Sequence, residues 1–123
     1  MKKKQETDIV EQSITKAMGL RNEKKLSAAI ALLVDVQKKN KTHSHLNFQL
    51  SRLFGEIGNL EPAIRHAEIS LKNAGARPPL NLLLHRGGLS LLNKDPAHAS
   101  QIAQTATELY QNEPRTYSLG GHA

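Results

Sequence analysis

The stretch that decides the fold is residues 44–77, SHLNFQLSRLFGEIGNLEPAIRHAEISLKNAGAR, in which two helix-length segments flank a short turn. In the first segment, apolar residues from Leu46 to Phe54 recur three or four positions apart, which is the spacing of one face of an α-helix. Gly58 is typical of a helix C-terminus, and Asn59 is typical of the start of the next helix. The stretch therefore predicts two antiparallel helices joined by a tight turn.

Similar signals on both sides extend this prediction to six helices. No segment shows the sustained alternation of apolar and polar residues that marks a half-buried strand, so we expect an all-α fold without a sheet. Short polar connections make consecutive helices antiparallel, which gives three helix hairpins. The predicted helices run from about Asp8 to Arg21, Glu23 to Lys39, Thr42 or Ser44 to Glu56, Asn59 to Leu71, Pro79 to Leu92 and Asp95 to Tyr110, between a basic, disordered N-terminus (1–7) and a flexible tail (115–123).

The hairpins repeat at an interval of 34 residues. The third unit fits the same pattern if about three residues, within 75–79, are inserted before its first helix and if its turn is one residue shorter. The residues that recur between the first two units are Leu26 and Leu60, Ala29 and Ala63, and Ile30 and Ile64.

Over about residues 8–114 this pattern resembles the tetratricopeptide repeat family, whose unit is a helix–turn–helix of 34 residues. The resemblance implies a single domain that is a short right-handed α-solenoid, with units at about 10–43, 44–77 and 81–112. In the family pattern a small residue in the first helix, which lets the second helix approach closely, is followed by a bulky one. The small residues here are Ala17, Ser51 and Gly88, and the bulky ones are Leu20, Phe54 and Leu91.

The composition agrees with helices that pack through small and straight-chain residues. Leu and Ala supply 31 of the 123 residues, whereas aromatic residues make up 3%. The net charge is +6, and its excess lies in the Lys clusters 2–4, 24–25 and 38–41. Such clusters attract anionic partners, but these contain no aromatic residues that could stack on bases. A solvated surface is therefore favoured, with binding of nucleic acid or an anionic surface as the alternative.

The sequence lacks the motifs that are typical of nucleotide binding, nucleophilic catalysis and Cys-ligated metal sites. It has no Cys, no Gly-rich phosphate loop and no Ser nucleophile elbow. His43 and His45 are too few for a metal site. We therefore expect a non-enzyme without a cofactor or metal. The lack of Cys and of an apolar segment after Met1 predicts a cytoplasmic protein.

The family resemblance also implies a concave groove, lined by the first helix of each hairpin, that binds an extended peptide or a helix. Its mixture of apolar and cationic side chains suits a peptide with apolar anchors and an acidic group, which Arg52 and Arg86 could bind through two hydrogen bonds each. An alternative is that Met18, Phe48 and Leu89 serve packing between units. The predicted groove residues are Met18, Arg21, His45, Phe48, Gln49, Arg52, His85, Arg86 and Leu89, together with Glu11, Ile14 and Leu82.

The sequence thus predicts a non-catalytic adaptor or scaffold that binds a peptide or protein. An accessory fragment of a larger enzyme is a further alternative. We also expect self-association, or docking to another protein, through an apolar stripe that the last helix leaves exposed. That stripe comprises Ala99, Ile102, Ala103, Ala106, Leu109 and Tyr110.

Overall fold

The structure, a computed structural model, describes residues 2–111, with side chains from Asp8 onward, and these residues form six α-helices and no strand. The all-α prediction is therefore confirmed. The predicted tail, 115–123, lies outside the described residues. The helices are α1 (Lys2–Asn22), α2 (Leu26–Gln37), α3 (Ser44–Glu56), α4 (Leu60–Lys72), α5 (Leu80–Leu92) and α6 (Pro96–Leu109).

Helix α1 begins earlier than the sequence predicted. It starts at Lys2 rather than at Asp8, so the segment expected to be disordered is helical from its second residue. The segment contains Lys, Gln and Glu, which are good helix formers, and it has no Gly or Pro that would end the helix before Asp8. A favourable capping residue is therefore not enough to fix where a helix starts.

The starts of α3 and α6 show one wrong and one correct capping prediction. His43, rather than Thr42 or Ser44, caps α3, because its Nδ1 accepts a hydrogen bond from the backbone N–H of Leu46 at 3.2 Å. Asp95 caps α6 as predicted, and its carboxylate accepts from the N–H of His98 at 3.1 Å. The starts of α3 and α6 are thus each held by one side-chain acceptor, whereas α2, α4 and α5 have no side-chain capping hydrogen bond.

The turns within the three hairpins close in the same way. Lys24, Gly58 and Lys94 each have a positive φ, of 63°, 80° and 58° respectively. In each turn the next residue donates its N–H to a carbonyl five positions earlier, which is the longer bond of a Schellman motif. These bonds join Lys25 to Leu20 (2.8 Å), Asn59 to Phe54 (2.9 Å) and Asp95 to Ser90 (2.8 Å). The repeated closure gives a structural landmark for aligning the units.

This landmark corrects the alignment of the third unit. Helices α3 and α5 start at 44 and 80 and end at 56 and 92, an offset of 36 throughout. The insertion is therefore two residues, with an unchanged turn, instead of three residues and a shorter turn. A shift of one residue rotates a position by about 100° around a helix. Gly87, which is buried, therefore occupies the position of Ser51, whereas the predicted Gly88 does not.

The same rotation explains two further wrong predictions on α5. Leu91, predicted to be a buried plug like Phe54, is 51% exposed, and Ser90 takes that position at 1% exposure. Arg86, predicted to face the groove, aligns with the core residue Leu50 and is itself buried. The predicted alignment of α5 is therefore rotated by about 100° from its orientation in the structure.

The first helices of the hairpins are closer to one another than the second helices are. Helix α3 contacts both α1 and α5, whereas no contact between α2 and α4, or between α4 and α6, is found among the described helices. The chain therefore curves, with α1, α3 and α5 along its inner face.

Helix α6 does not expose the apolar stripe that we predicted. Ala99, Ala103 and Ala106 are at most 6% exposed, and the larger apolar residues of the stripe are half-buried against Leu80 and Leu83 of α5. The outer face of α6 is polar instead, with exposed side chains at Gln101, Gln104, Thr105 and Glu108. Self-association through this helix stays a prediction, but an uncovered stripe no longer supports it.

Candidate functional site

Two adjoining pockets lie on the inner face between α3 and α5. They are separated by Phe48 of α3 and His85 of α5, whose ring centres are 5.6 Å apart at an angle of 60°. The two pockets therefore lie on either side of this ring pair, along the first helices of the second and third hairpins, where the sequence predicts a groove.

The first pocket, which we name the glycine pocket, has a volume of about 340 Å³. A Cβ built on Gly88 meets no atom within 4 Å, and one built on Gly55 meets only Leu89, at 3.9 Å. Gly88 is therefore not the close-packing notch that the sequence suggested, because its missing side chain leaves open space in the pocket. The lining residues are Arg52, Gly55, Glu56, His85, Gly88, Leu89 and Leu92.

The second pocket, which we name the loop pocket, has a volume of about 400 Å³. One of its walls comes from the loop between α4 and α5. Ser44 and Ser70 in its lining form two reciprocal hydrogen bonds. The Ser44 hydroxyl donates to the Ser70 carbonyl at 2.9 Å, and the Ser70 hydroxyl donates to the Ser44 carbonyl at 2.7 Å. The lining residues are Ser44, His45, Phe48, Ser70, Asn73, Ala74, Pro79, Asn81 and Leu82.

His85 is held as a neutral ring between the pockets. Ser51 donates its hydroxyl proton to the carbonyl of Ala63 at 2.5 Å, so its oxygen accepts from Nε2–H of His85 at 2.7 Å. Burial, followed by the nearby charges of Arg52 and Arg86, lowers the pKa of His85 to about 4. The ring is therefore uncharged at neutral pH, and its Nδ1 is the unprotonated nitrogen.

A chain of hydrogen bonds crosses the inner face from α1 to α3. Gln49 donates through Nε2 to Nε2 of His45 at 3.1 Å, so His45 donates through Nδ1 to the Glu11 carboxylate at 3.0 Å. Gln49 also accepts from Nη1 of Arg52 at 3.3 Å, and the Arg52 guanidinium lies 5.8 Å from the centre of the Phe48 ring. Arg52 is thus held over the groove by two neutral groups.

Arg86 is the predicted groove residue that the structure places elsewhere. Its side chain is 10% exposed and forms an ion pair with Glu68 of α4. Its Nη1 also donates to the hydroxyl of Ser90 at 2.6 Å. The second cation expected in the groove is therefore occupied by internal contacts.

The residues predicted on α1 lie mostly in packing positions. Ile14 is buried in the core, and Met18 packs against the same core cluster. Arg21 forms an ion pair with Glu56 of the glycine pocket. The inner face of α1 thus supports α3, while the two pockets are built from α3, α5, Ser70 of α4 and the loop between α4 and α5.

The other predicted residues divide between the two pockets, except for Gln49, which is 8% exposed, and Glu11, neither of which lines a pocket. His45, Phe48 and Leu82 line the loop pocket, and Arg52, His85 and Leu89 line the glycine pocket. Sequence reasoning also missed some of the lining residues. Leu89 is 3% exposed and packs against Ala63 and Ala67, so it serves both the core and the pocket. The missed residues include Gly55 and Leu92, which follow Arg52 and Gly88 by about one helical turn. The signal that could have found them was this helical spacing, read in the corrected register.

The remaining charged and histidine residues bear on two other kinds of site, a metal site and a further pocket. Within the described part of the chain, no group of three His, Asp or Glu residues could hold a metal ion. A third pocket, of about 370 Å³, has Lys41 and Lys72 in its lining and lies next to the loop pocket, with which it shares Asn73. None of the described helices is both long and apolar enough to cross a membrane.

Solved structures with a similar fold are found, although their sequences differ widely from this one. SycD, a type III secretion translocator chaperone of Yersinia enterocolitica, matches with a TM-score of 0.80 and 19% identity, over 94% of this chain and 91% of that one. SycD in complex with a peptide of the translocator YopD matches with a TM-score of 0.80 and 18% identity, over 94% and 92%. A mutant of MamA matches with a TM-score of 0.69 and 20% identity, over 83% of this chain and 73% of that one.

These similarities confirm the fold class, a short right-handed α-solenoid of tetratricopeptide-like hairpins. No protein-family model matches the chain, and no curated protein does.

Proposed function

We propose that this chain is a non-catalytic interaction module that binds an extended segment of another protein along the inner face of α3 and α5. The observation that carries the proposal is the pair of adjoining pockets on this one face. The similarity to SycD, which has been solved with a YopD peptide, supports a peptide ligand. Both pockets expose apolar carbon between a few polar groups, which is the usual character of a binding site.

The distance between the pockets sets the spacing of the side chains that they would accept. On α3 the loop pocket is centred near Ser44–Phe48 and the glycine pocket near Arg52–Glu56, which is about eight residues or about 12 Å of helix. An extended chain advances about 3.3 Å per residue. Two anchor side chains about four residues apart, on the same side of the extended segment, would therefore reach both pockets.

The charges at the glycine pocket favour an acidic residue near one anchor. Glu56 is neutralised by Arg21, whereas Arg52 contacts the neutral Gln49 amide and the Phe48 ring. The rim of this pocket therefore carries a net positive charge. A carboxylate on the ligand could accept two hydrogen bonds from the Arg52 guanidinium.

Selection from a random peptide display library, followed by alanine scanning of the selected peptides in titration calorimetry, tests the proposal. We expect peptides with two apolar anchors about four residues apart, each costing about 10-fold or more in affinity when replaced by Ala. Failure of the full-length chain to select any peptide would contradict the proposal. Selection of peptides in which no apolar side chain matters would contradict it as well.

A further inference from the structure

The loop between α4 and α5 lies outside the repeat and forms one wall of the loop pocket. It accounts for the two residues by which the third unit is offset beyond the 34-residue period. Asn73, Ala74 and Pro79 of this loop line the pocket, and Gly75 turns the chain between them with a φ of 89°. The shape of the pocket therefore depends on a segment that the repeated helix packing does not fix.

The end of α6 holds this loop in place through three contacts. The hydroxyl of Tyr110 donates to the Pro78 carbonyl at 2.7 Å. In return, Nη2 of Arg77 donates to the Leu109 carbonyl at 3.1 Å, and the Arg77 guanidinium lies 4.6 Å from the centre of the Tyr110 ring. At its other end, the loop is tied to α4 by Asn73, which donates to the Ile69 carbonyl at 2.8 Å.

The Tyr110 ring is itself anchored, because it is half-buried against the apolar cluster around Leu80 and Leu83. A segment with Gly and Ala at its centre has large conformational entropy when it is free. Contacts from an anchored ring therefore select one of its conformations, and with it one width of the pocket.

We propose that Tyr110 and Arg77 are positioning residues of the groove, which fix the wall of the loop pocket and so determine the side chain that it accepts. The proposal rests on the peptide-binding function proposed above. Neither residue lines the pocket, so both act through Pro78, Pro79 and Ala74. The ligand group concerned is the apolar anchor that enters the loop pocket.

The test is a double-mutant cycle between the full-length chain and one display-selected peptide. The protein variants are Tyr110→Phe, which keeps the ring but removes the hydroxyl, and Arg77→Ala, with Arg65→Ala on the exposed side of α4 as the control. The peptide is used intact and with either anchor replaced by Ala. The two anchors are assigned to pockets with the protein variant Gly88→Leu. The anchor that occupies the glycine pocket is the one whose replacement changes the binding free energy non-additively with Gly88→Leu.

We expect Tyr110→Phe to weaken the intact peptide about 3- to 10-fold, the effect of one hydrogen bond. Tyr110→Phe should cause the same loss of affinity for the peptide that lacks the glycine-pocket anchor. It should cause no loss of affinity for the peptide that lacks the loop-pocket anchor. Amide hydrogen exchange in 74–77 should accelerate, with little change in α3. Arg65→Ala should change none of these quantities.

An equal loss with all three peptides would indicate a general loss of stability and overturn the positioning role. Unchanged affinity for the intact peptide would overturn it as well, while leaving the proposed function intact. If the unmodified chain selects no peptide, the proposed function fails and this inference fails with it.

Discussion

Replacing Gly88 by Leu is expected to stabilise the fold while blocking the groove. Gly88 lies within α5, and a Cβ added there meets no atom within 4 Å. The new side chain would enter the glycine pocket, whose volume is about 340 Å³. Stability and binding should therefore move in opposite directions, which an unfolding defect could not produce.

Both magnitudes follow from the position of Gly88. Exchanging a Gly in a helix interior for a strong helix former stabilises by roughly 0.5–1 kcal/mol, which raises the midpoint of thermal unfolding by about 2–6 °C in a chain of this size. Excluding one apolar anchor from a pocket removes about 1.5–3 kcal/mol of binding free energy. The dissociation constant of a selected peptide should thus rise by about 10- to 150-fold.

Gly19 on α1 provides the matched control for this experiment. Like Gly88 it is helical, and a Cβ built on it meets nothing within 4 Å, but it is exposed on α1 and lines neither pocket. Gly19→Leu should give a similar gain in stability with unchanged affinity, measured by thermal unfolding and titration calorimetry. If Gly88→Leu binds the peptide as tightly as Gly19→Leu does, the glycine pocket does not bind it, and our reasoning is refuted.

Three further predictions concern the turns, pH and charge. Lys24→Gly and Lys94→Gly should each raise the free energy of unfolding, measured in urea, by about 0.5–1 kcal/mol. The reason is that a non-Gly residue in the left-handed backbone conformation costs about 1–2 kcal/mol, which exceeds the entropy cost of Gly. A lower free energy of unfolding in either variant would contradict this. The pKa of His85 falls from 6.5 to about 4 on folding, so the unfolded state takes up a proton at a higher pH than the folded state does. The free energy of unfolding should therefore be at its full value above pH 6.5 and fall by about 1–2 kcal/mol towards pH 4, after allowance for solvent screening. In His85→Gln the free energy of unfolding should depend less on pH over this range. Arg52→Glu should weaken peptides that carry an acidic residue beside an anchor by about 5- to 50-fold, whereas Arg65→Glu on the outer side of α4 should not; equal effects would exclude a specific role for Arg52.

The six helices and their pairing could be predicted from the sequence because they depend on local signals. Helical apolar spacing and the residues Gly58 and Asp95 set elements that the structure confirms. The start of α1 could not be predicted in this way, since good helix formers continue past Asp8 towards Lys2. Local signals thus predict that a helix exists better than they predict where it begins.

The site was predicted less well because it depends on the direction in which α5 faces. Either Gly87 or Gly88 can be aligned with the small residue of the repeat, and the pattern of small and bulky residues does not choose between them. Choosing Gly88 rotates α5 by about 100°, which places Arg86 in the groove and Leu91 in the core. Tertiary packing decides the choice, since Gly87 is buried and Leu91 is 51% exposed.

The most direct test of the proposed groove is nuclear Overhauser spectroscopy on the methyl-labelled chain with a display-selected peptide bound. One peptide anchor should show contacts to the methyl groups of Leu89 and Leu92, and the other anchor should show contacts to those of Leu82. Contacts confined to α2 or α6, such as to Leu32 or Ile102, would contradict the proposal that the ligand lies along α3 and α5.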